Sequence, residues 1–248
     1  MNTEGSKMFL DVQDISNQLN LLSNKLTISK WDFGASFTRD ITAQVQDGES
    51  KQLKASQSNS ITIRVWNKTN KVGITSTSDL TQEGIKRAFE RAIEASHYGN
   101  KEESPDFSPL ANAELPKMSS ILSEMVGIKE IIGKLKDAEY QLINRNSAIR
   151  SVPYNGLAEN YLERVYLNSD GAKRQMKRTL ASIYLYAKAI ENGRKPRSSG
   201  SIRLADGITS LDVNSCIQEA ADRTVSHLNY KSIETGNYLI CFMPEAFL

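Results

Sequence analysis

Few side chains in this sequence are placed to make or break bonds. Its 248 residues include two histidines, His97 and His227, and two cysteines, Cys216 and Cys241. A zinc site needs three or four clustered nitrogen, sulfur or carboxylate ligands. Neither His-Glu-x-x-His nor His-Glu-x-x-x-His occurs, so the composition argues against a self-sufficient zinc enzyme. Each histidine falls near the end of a helical pattern, where the C-terminal dipole favours a cation. Cys216 lies on an apolar helix stripe and Cys241 in an apolar strand pattern, and both read as small buried hydrophobes. Single glycines at turns or within strands do not build a phosphate loop. The carboxylate pair Glu102-Glu103 falls in a linker, where desolvation cannot tune an acid and a base. Trp31, Trp66, Tyr184 and Tyr186 could stack on bases. Tyr184 and Tyr186 share a strand face with Met176 and Leu180, and a core or interface face is the reading adopted.

The net charge of +2 is unevenly spread. Residues 1–124 carry −2 and residues 125–248 carry +4, with nine basic side chains against Glu191 alone in 171–203. Such a stretch could attract an acidic protein or nucleic acid, although a solvated strand face is the simpler reading. Two cysteines are too few for a disulfide framework, which points to a reducing compartment. No apolar run approaches a membrane span, and no basic segment leads into an apolar signal core. A soluble, cytoplasmic protein is expected.

The elements that would carry these residues follow from periodicity. Met8, Val12, Ile15, Leu19, Leu22 and Leu26 recur at three and four, a helix stripe. From Phe33 the period becomes two, through Ala35, Phe37, Ile41, Ala43 and Val45 to a hairpin turn at Asp47-Gly48. Alternation resumes at Leu53 and Ala55, then Ile61, Ile63 and Val65, with a further short strand at Val72 and Ile74. Asp79, with Gln82 three residues on, is expected to cap a helix whose apolar face is Ile85, Ala88, Phe89, Ala92 and Ile93. Residues 101–117, with Pro105, Pro109 and Pro116, read as a linker.

A second unit has the same look. Ile128, Ile131, Ile132, Leu135 and Leu142 suggest a helix, and Ile149 to Leu167 strands around a turn at Asn155-Gly156. Further turns follow at Asp170-Gly171 and Asn192-Gly193, then a helix capped by Asp212. The expected fold class is α+β, two antiparallel-sheet-plus-helix units that could repeat one another. Their bounds are residues 1–100 and 118–236, with 237–248 beginning a truncated C-terminal domain. There Tyr238 to Phe242 reads as a buried strand, and Pro244-Glu245-Ala246 as the start of a helix.

Several segments resemble the TldD/PmbA family, whose members are described as metallopeptidases or modulators of DNA gyrase. They run from Ala35-Ser36-Phe37 through Ile61-Thr62-Ile63-Arg64-Val65 and Val72-Gly73-Ile74-Thr75-Ser76-Thr77-Ser78-Asp79-Leu80 into an Ala-rich helix. Asn168-Ser169-Asp170-Gly171, Ala220-Ala221-Asp222-Arg223-Thr224 and the strand before Pro244-Glu245-Ala246 continue the likeness. It spans roughly Trp31 to Leu248 and rests on order and spacing rather than on any one motif. The Thr75–Leu80 segment and the helix around Asp222 look more like the PmbA (TldE) branch. In the TldD branch a metal-binding His-Glu-x-x-x-His follows the strand equivalent to Tyr238–Phe242, a point this chain does not reach. The resemblance therefore implies an N-terminal portion that scaffolds and binds peptides, with zinc expected in a TldD-type partner and no catalytic or metal residue carried here. The assembly would be a heterodimer with that partner or a pair of identical copies. Arg64, Lys177 and Arg178 are candidate contacts for a peptide's carboxylates. The alternative is a non-enzymatic module binding an acidic protein or nucleic acid through 171–203, with nucleic acid the less favoured.

Overall fold

The computed structural model describes residues 11–26, 28–101 and 122–242, and between the last two 107, 108, 110 and 113. The helices are α1 (Val12–Lys25), α2 (Gln82–Tyr98), α3 (Ile128–Asn144) and α4 (Val213–Ser226). The strands are β1 (Ile28–Gln46), β2 (Glu49–Asn67), β3 (Val72–Thr77), β4 (Ile149–Asn168), β5 (Lys173–Ala189) and β6 (Arg197–Ala205). All six form one antiparallel sheet in the order β3-β2-β1-β4-β5-β6, so the fold is α+β. The order helix, three strands, helix occurs twice along the chain, and the first strand of each set, β1 and β4, pair in the middle of the sheet.

Alternation decides which face is covered. Odd-numbered residues of β1, β2 and β5 point to the helices, and the register brings the odd residues of β4 to the same side. Two apolar clusters result. One joins Trp31, Phe33, Ile61, Ile63 and Val65 to Ile15 and Leu19 of α1 and Ile85 and Phe89 of α2. The other joins Ile41, Ala43, Leu157 and Ile183 to Ile131 and Leu135 of α3 and Cys216 and Ile217 of α4. β1 gives its first half to one cluster and its second half to the other, and β4 does the same in reverse.

A polar seam lies on this face between the clusters. Glu159 is fully buried and accepts the amides of Val126 (2.8 Å) and Ile208 (3.4 Å). Glu163, also fully buried, accepts from Gln175 (2.7 Å) and the hydroxyl of Tyr161 (3.3 Å) and forms an ion pair with Lys177 (3.5 Å). Burial, and then the charge of Glu163, push the Tyr161 phenol up to about 12, so it stays a donor.

The local signals act in identifiable ways. Asp47 and Gly48 both take positive φ (54° and 76°), as a tight hairpin requires. Asp170-Gly171 and Asn192-Gly193 are turns as well, with positive φ at each glycine. Asn155-Gly156 is not a turn. Asn155 is buried within β4, where its side chain accepts the Val45 amide (3.0 Å) and donates to the Val45 carbonyl (3.0 Å). Gly156 leaves room for the Tyr184 ring, since a Cβ there would lie 2.4 Å from it.

Asp212 caps α4 by accepting the Ser215 amide (2.9 Å). The cap of α2 is Thr81 rather than Asp79: its hydroxyl accepts the Gly84 amide (3.1 Å). Asp79 instead holds the Thr81 amide (3.0 Å) and hydroxyl (2.6 Å), fixing the residue that caps. Cys216 is buried as expected, whereas Cys241 is exposed. Tyr238–Phe242 forms no strand and is exposed, because no described strand lies beside it to share a ladder. The linker reading falls largely, and the Pro244 helix start wholly, outside the described residues.

Candidate peptide-binding sheet edges

Arg64, Lys177 and Arg178 do not converge. Arg64 lies on the helix-free face and grips buried Asp32, its Nε donating to both carboxylate oxygens (2.9 and 3.1 Å). Lys177 points to the helix face and pairs with Glu163 (3.5 Å), and Arg178 returns to the open face and meets Asp206 (3.4 Å). A carboxylate thus already stands beside each cation.

The basic stretch 171–203 is similarly dispersed over β5, β6 and the turn between them. Arg174 donates to the carbonyls of Leu110 (3.2 Å) and Ala113 (2.7 Å). Arg194 pairs with Glu191 (3.1 Å), Arg203 with Glu219 (2.5 Å), and Arg197 lies over the Tyr230 ring at 4.1 Å. Successive strand residues point to opposite faces, so the cations form no single patch. On the open face Tyr154 and Tyr186 meet edge to face at 6.1 Å, beside exposed Ile202 and Leu204.

What the sheet leaves available is main chain at its margins. At β3 the chain returns: Val72 donates to the Asn100 carbonyl (3.3 Å), and Lys71 bridges Lys101. Farther along β3, a cavity of about 180 Å³ is lined by Thr75, Thr77, Asp79, Gly84, Arg87 and Arg91. Hydrogen bonds from Thr81, and then the nearby Arg87 guanidinium (3.1 Å), hold the Asp79 carboxyl below its ordinary value. At β6 the carbonyls of Ser199 and Ser201 accept the Thr224 hydroxyl (3.0 Å) and the Cys216 thiol (3.5 Å), so α4 already engages that margin. Burial pushes the Cys216 thiol up, which removes it as a nucleophile at neutral pH.

The third margin escaped the reading of functional residues. β3 pairs with β2 only over Ile61–Trp66, so the turn-proximal part of β2, from Glu49 to Ser60, has β1 on one side and no described strand on the other. Its side chains are exposed on both faces apart from half-buried Asn59. The available signal was the polar run Ser56–Ser60, which breaks the apolar alternation inside a strand.

Comparison with known proteins bears on what such a sheet serves. Residues 31–96 match the model of PmbA/TldA metallopeptidase domain 1, and residues 122–228 match that of the PmbA/TldA metallopeptidase central domain. The chain belongs to the TldD/PmbA family. Its fold recurs in a Thermotoga maritima protein named as a modulator of DNA gyrase, at 19% identity and TM-score 0.76, covering 91% of this chain and 50% of that one. TldE of Thermococcus kodakarensis gives 18% and 0.70, with 87% and 47% covered. A Bacteroides thetaiotaomicron protein, also named as a modulator of DNA gyrase, gives 14% and 0.73, with 93% and 53% covered. The chain spans about half the length of these three structures. No curated protein matches it.

Proposed function

We propose that this chain is the N-terminal, peptide-positioning portion of a PmbA (TldE)-like subunit, acting in proteolysis with a metal-bearing TldD-type partner in the cytoplasm. The observation that carries the reading is the match of both halves to domains of a metallopeptidase family, on a sheet whose β2 margin has no strand beside it among the described residues. An unpaired strand edge can take up an extended peptide by main-chain hydrogen bonds, largely whatever its sequence. This suits a protease that acts on unfolded chains.

The donor set supports this division of labour. Among the described residues no three His, Cys, Asp or Glu side chains lie close enough to hold a metal, so no step is assigned to a metal in this chain. Zinc in the partner would polarise the scissile carbonyl and activate water. This chain's part is to hold the peptide extended and restrict its freedom, which lowers the entropic cost of reaching the reactive geometry.

The test is reconstitution. This chain, extended to the full length of its TldD/PmbA relatives, is mixed with a TldD-type partner and an unfolded protein substrate. Co-elution of the two and cleavage only by the pair are expected. Cleavage by the partner at the same rate without this protein would overturn the reading.

A further inference from the structure

We propose that the free edge of β2, from Gln52 to Ser60, is a docking strand selective for extended peptides rich in acidic residues. This rests on the peptide-positioning reading and names the place and the substrate class. The edge runs nine residues, about 30 Å at the strand rise, longer than an ordinary strand partner needs. A register shift between Gln44 and Val45 leaves Lys51 as the extra residue beside the turn and closes the edge at that end. At the other end the edge stops where β3 begins to pair, at Ile61.

Charge distinguishes this edge from a merely unpaired one. No acidic residue occurs from Ser50 to Ser60, whereas Lys51 and Lys54 do, and Arg39 stands in register with Gln57 on the adjoining strand. Among the described residues none of these three cations is in an ion pair. Of the carboxylates beside the edge, Glu49 pairs with Lys136 (3.3 Å), and Asp40, in register with Ser56, accepts from the amide of Asn160 and the Ser56 hydroxyl (3.4 Å). Lys54 stands on the open face, in register with Thr42, and Arg39 on the helix face, so acidic side chains on either side of an added strand find a cation. A second copy of this chain is the poorer occupant, because antiparallel self-pairing of Gln52–Ser60 would set Lys54 opposite Ser58 and offer the lysine no opposite charge. Edge lysines deter association with neutral or basic strands; the same charges attract an acidic one.

The probe is a fluorescent eight-residue peptide alternating Glu and Val, its binding to this chain followed by anisotropy. The lysine counterpart of the peptide should bind at least 10-fold more weakly. Lys51→Glu/Lys54→Glu should weaken the acidic peptide by about 2- to 5-fold per lysine at low salt and favour the basic one. Raising ionic strength should erase much of the difference. N-methylation of alternate peptide amides should abolish binding in one frame and spare it in the other, because only alternate amides face the receiving strand.

Unchanged acidic-peptide binding by the double variant, or equal tolerance of both N-methylation frames, would overturn the proposal. So would a dimer whose formation competes with the peptide. Cleavage assays with the partner separate the two readings. Cleavage by the pair that is indifferent to Lys51 and Lys54 sinks the docking edge alone. Acidic-peptide binding at β2 without partner-dependent cleavage sinks the proteolytic reading alone.

Discussion

Glu219 ties α4 to β6 through the Ser201 hydroxyl (2.5 Å) and Arg203 (2.5 Å), and pairs within α4 with Arg223 (2.6 Å). The hydrogen bonds from Ser201 and Arg203, and then the charges of Arg203 and Arg223, hold its carboxyl below the ordinary range. A carboxyl lowered in the folded state contributes stability fully above its unfolded value, about 4.3, and loses it as pH falls through the folded value. Glu219→Gln should therefore lower the urea midpoint at pH 7, and the two curves should converge over the acid range below about 4.3. A gap that persists undiminished through this window would show that the charge contributes nothing. At the same scale, the thiols should differ by access. Iodoacetamide at neutral pH should label Cys241 and spare Cys216 until the chain is unfolded, a difference mass spectrometry reads directly.

Elements were legible where one rule operated and misread where two competed. Alternation from Phe33 to Val45, broken at Arg39, fixed both the strand and its buried face, and turn residues at Asp47-Gly48 and Asp170-Gly171 fixed the β1–β2 and β4–β5 hairpins. Asn155-Gly156 carries the same dipeptide signal, yet Asn155 serves a buried contact with β1, which only the register reveals. Asp79 is a good capping residue two positions early, and the chain uses it to hold the residue that does cap. The site was less legible than the fold, because a receiving strand edge is main chain and has no residue signature. Arg64 and Lys177 drew attention by charge, but strand pairing set Asp32 and Glu163 beside them. Packing of α2 onto β3 gives a prediction at this scale. A Cβ on Gly73 would lie 1.9 Å from the Ala92 carbonyl, closer than side-chain motion can relieve. Gly73→Ala should cost about 1–3 kcal/mol, as overpacking does, measured by chemical denaturation. A neutral result would mean that helix and strand do not sit this closely.

Across the whole molecule the two apolar clusters are joined by covalent and hydrogen-bonded continuity rather than by contact at a boundary. Ile41, Ala43 and Val45 belong to β1 yet pack with α3, and Val165 and Leu167 belong to β4 yet pack in the cluster built on α2. Neither half can then lose its helices without stripping apolar surface from a strand that the other half also uses. Residues 31–96 and 122–228 match separate domain models, which would permit two independent transitions. The shared strands argue against that. Phe89, fully buried in the first cluster, and Leu135, fully buried in the second, supply the test. Phe89→Ala should cost about 3–5 kcal/mol and Leu135→Ala about 2–5 kcal/mol, and each should move one common unfolding transition seen by both fluorescence and circular dichroism. Two transitions, with each substitution shifting only one, would show that β1 and β4 couple the halves too weakly to make them one folding unit. A single transition would also bear on the docking edge of β2. Its β1 partner is anchored at both ends, so the edge would be held rigid before a peptide arrives, and little ordering would remain to offset binding.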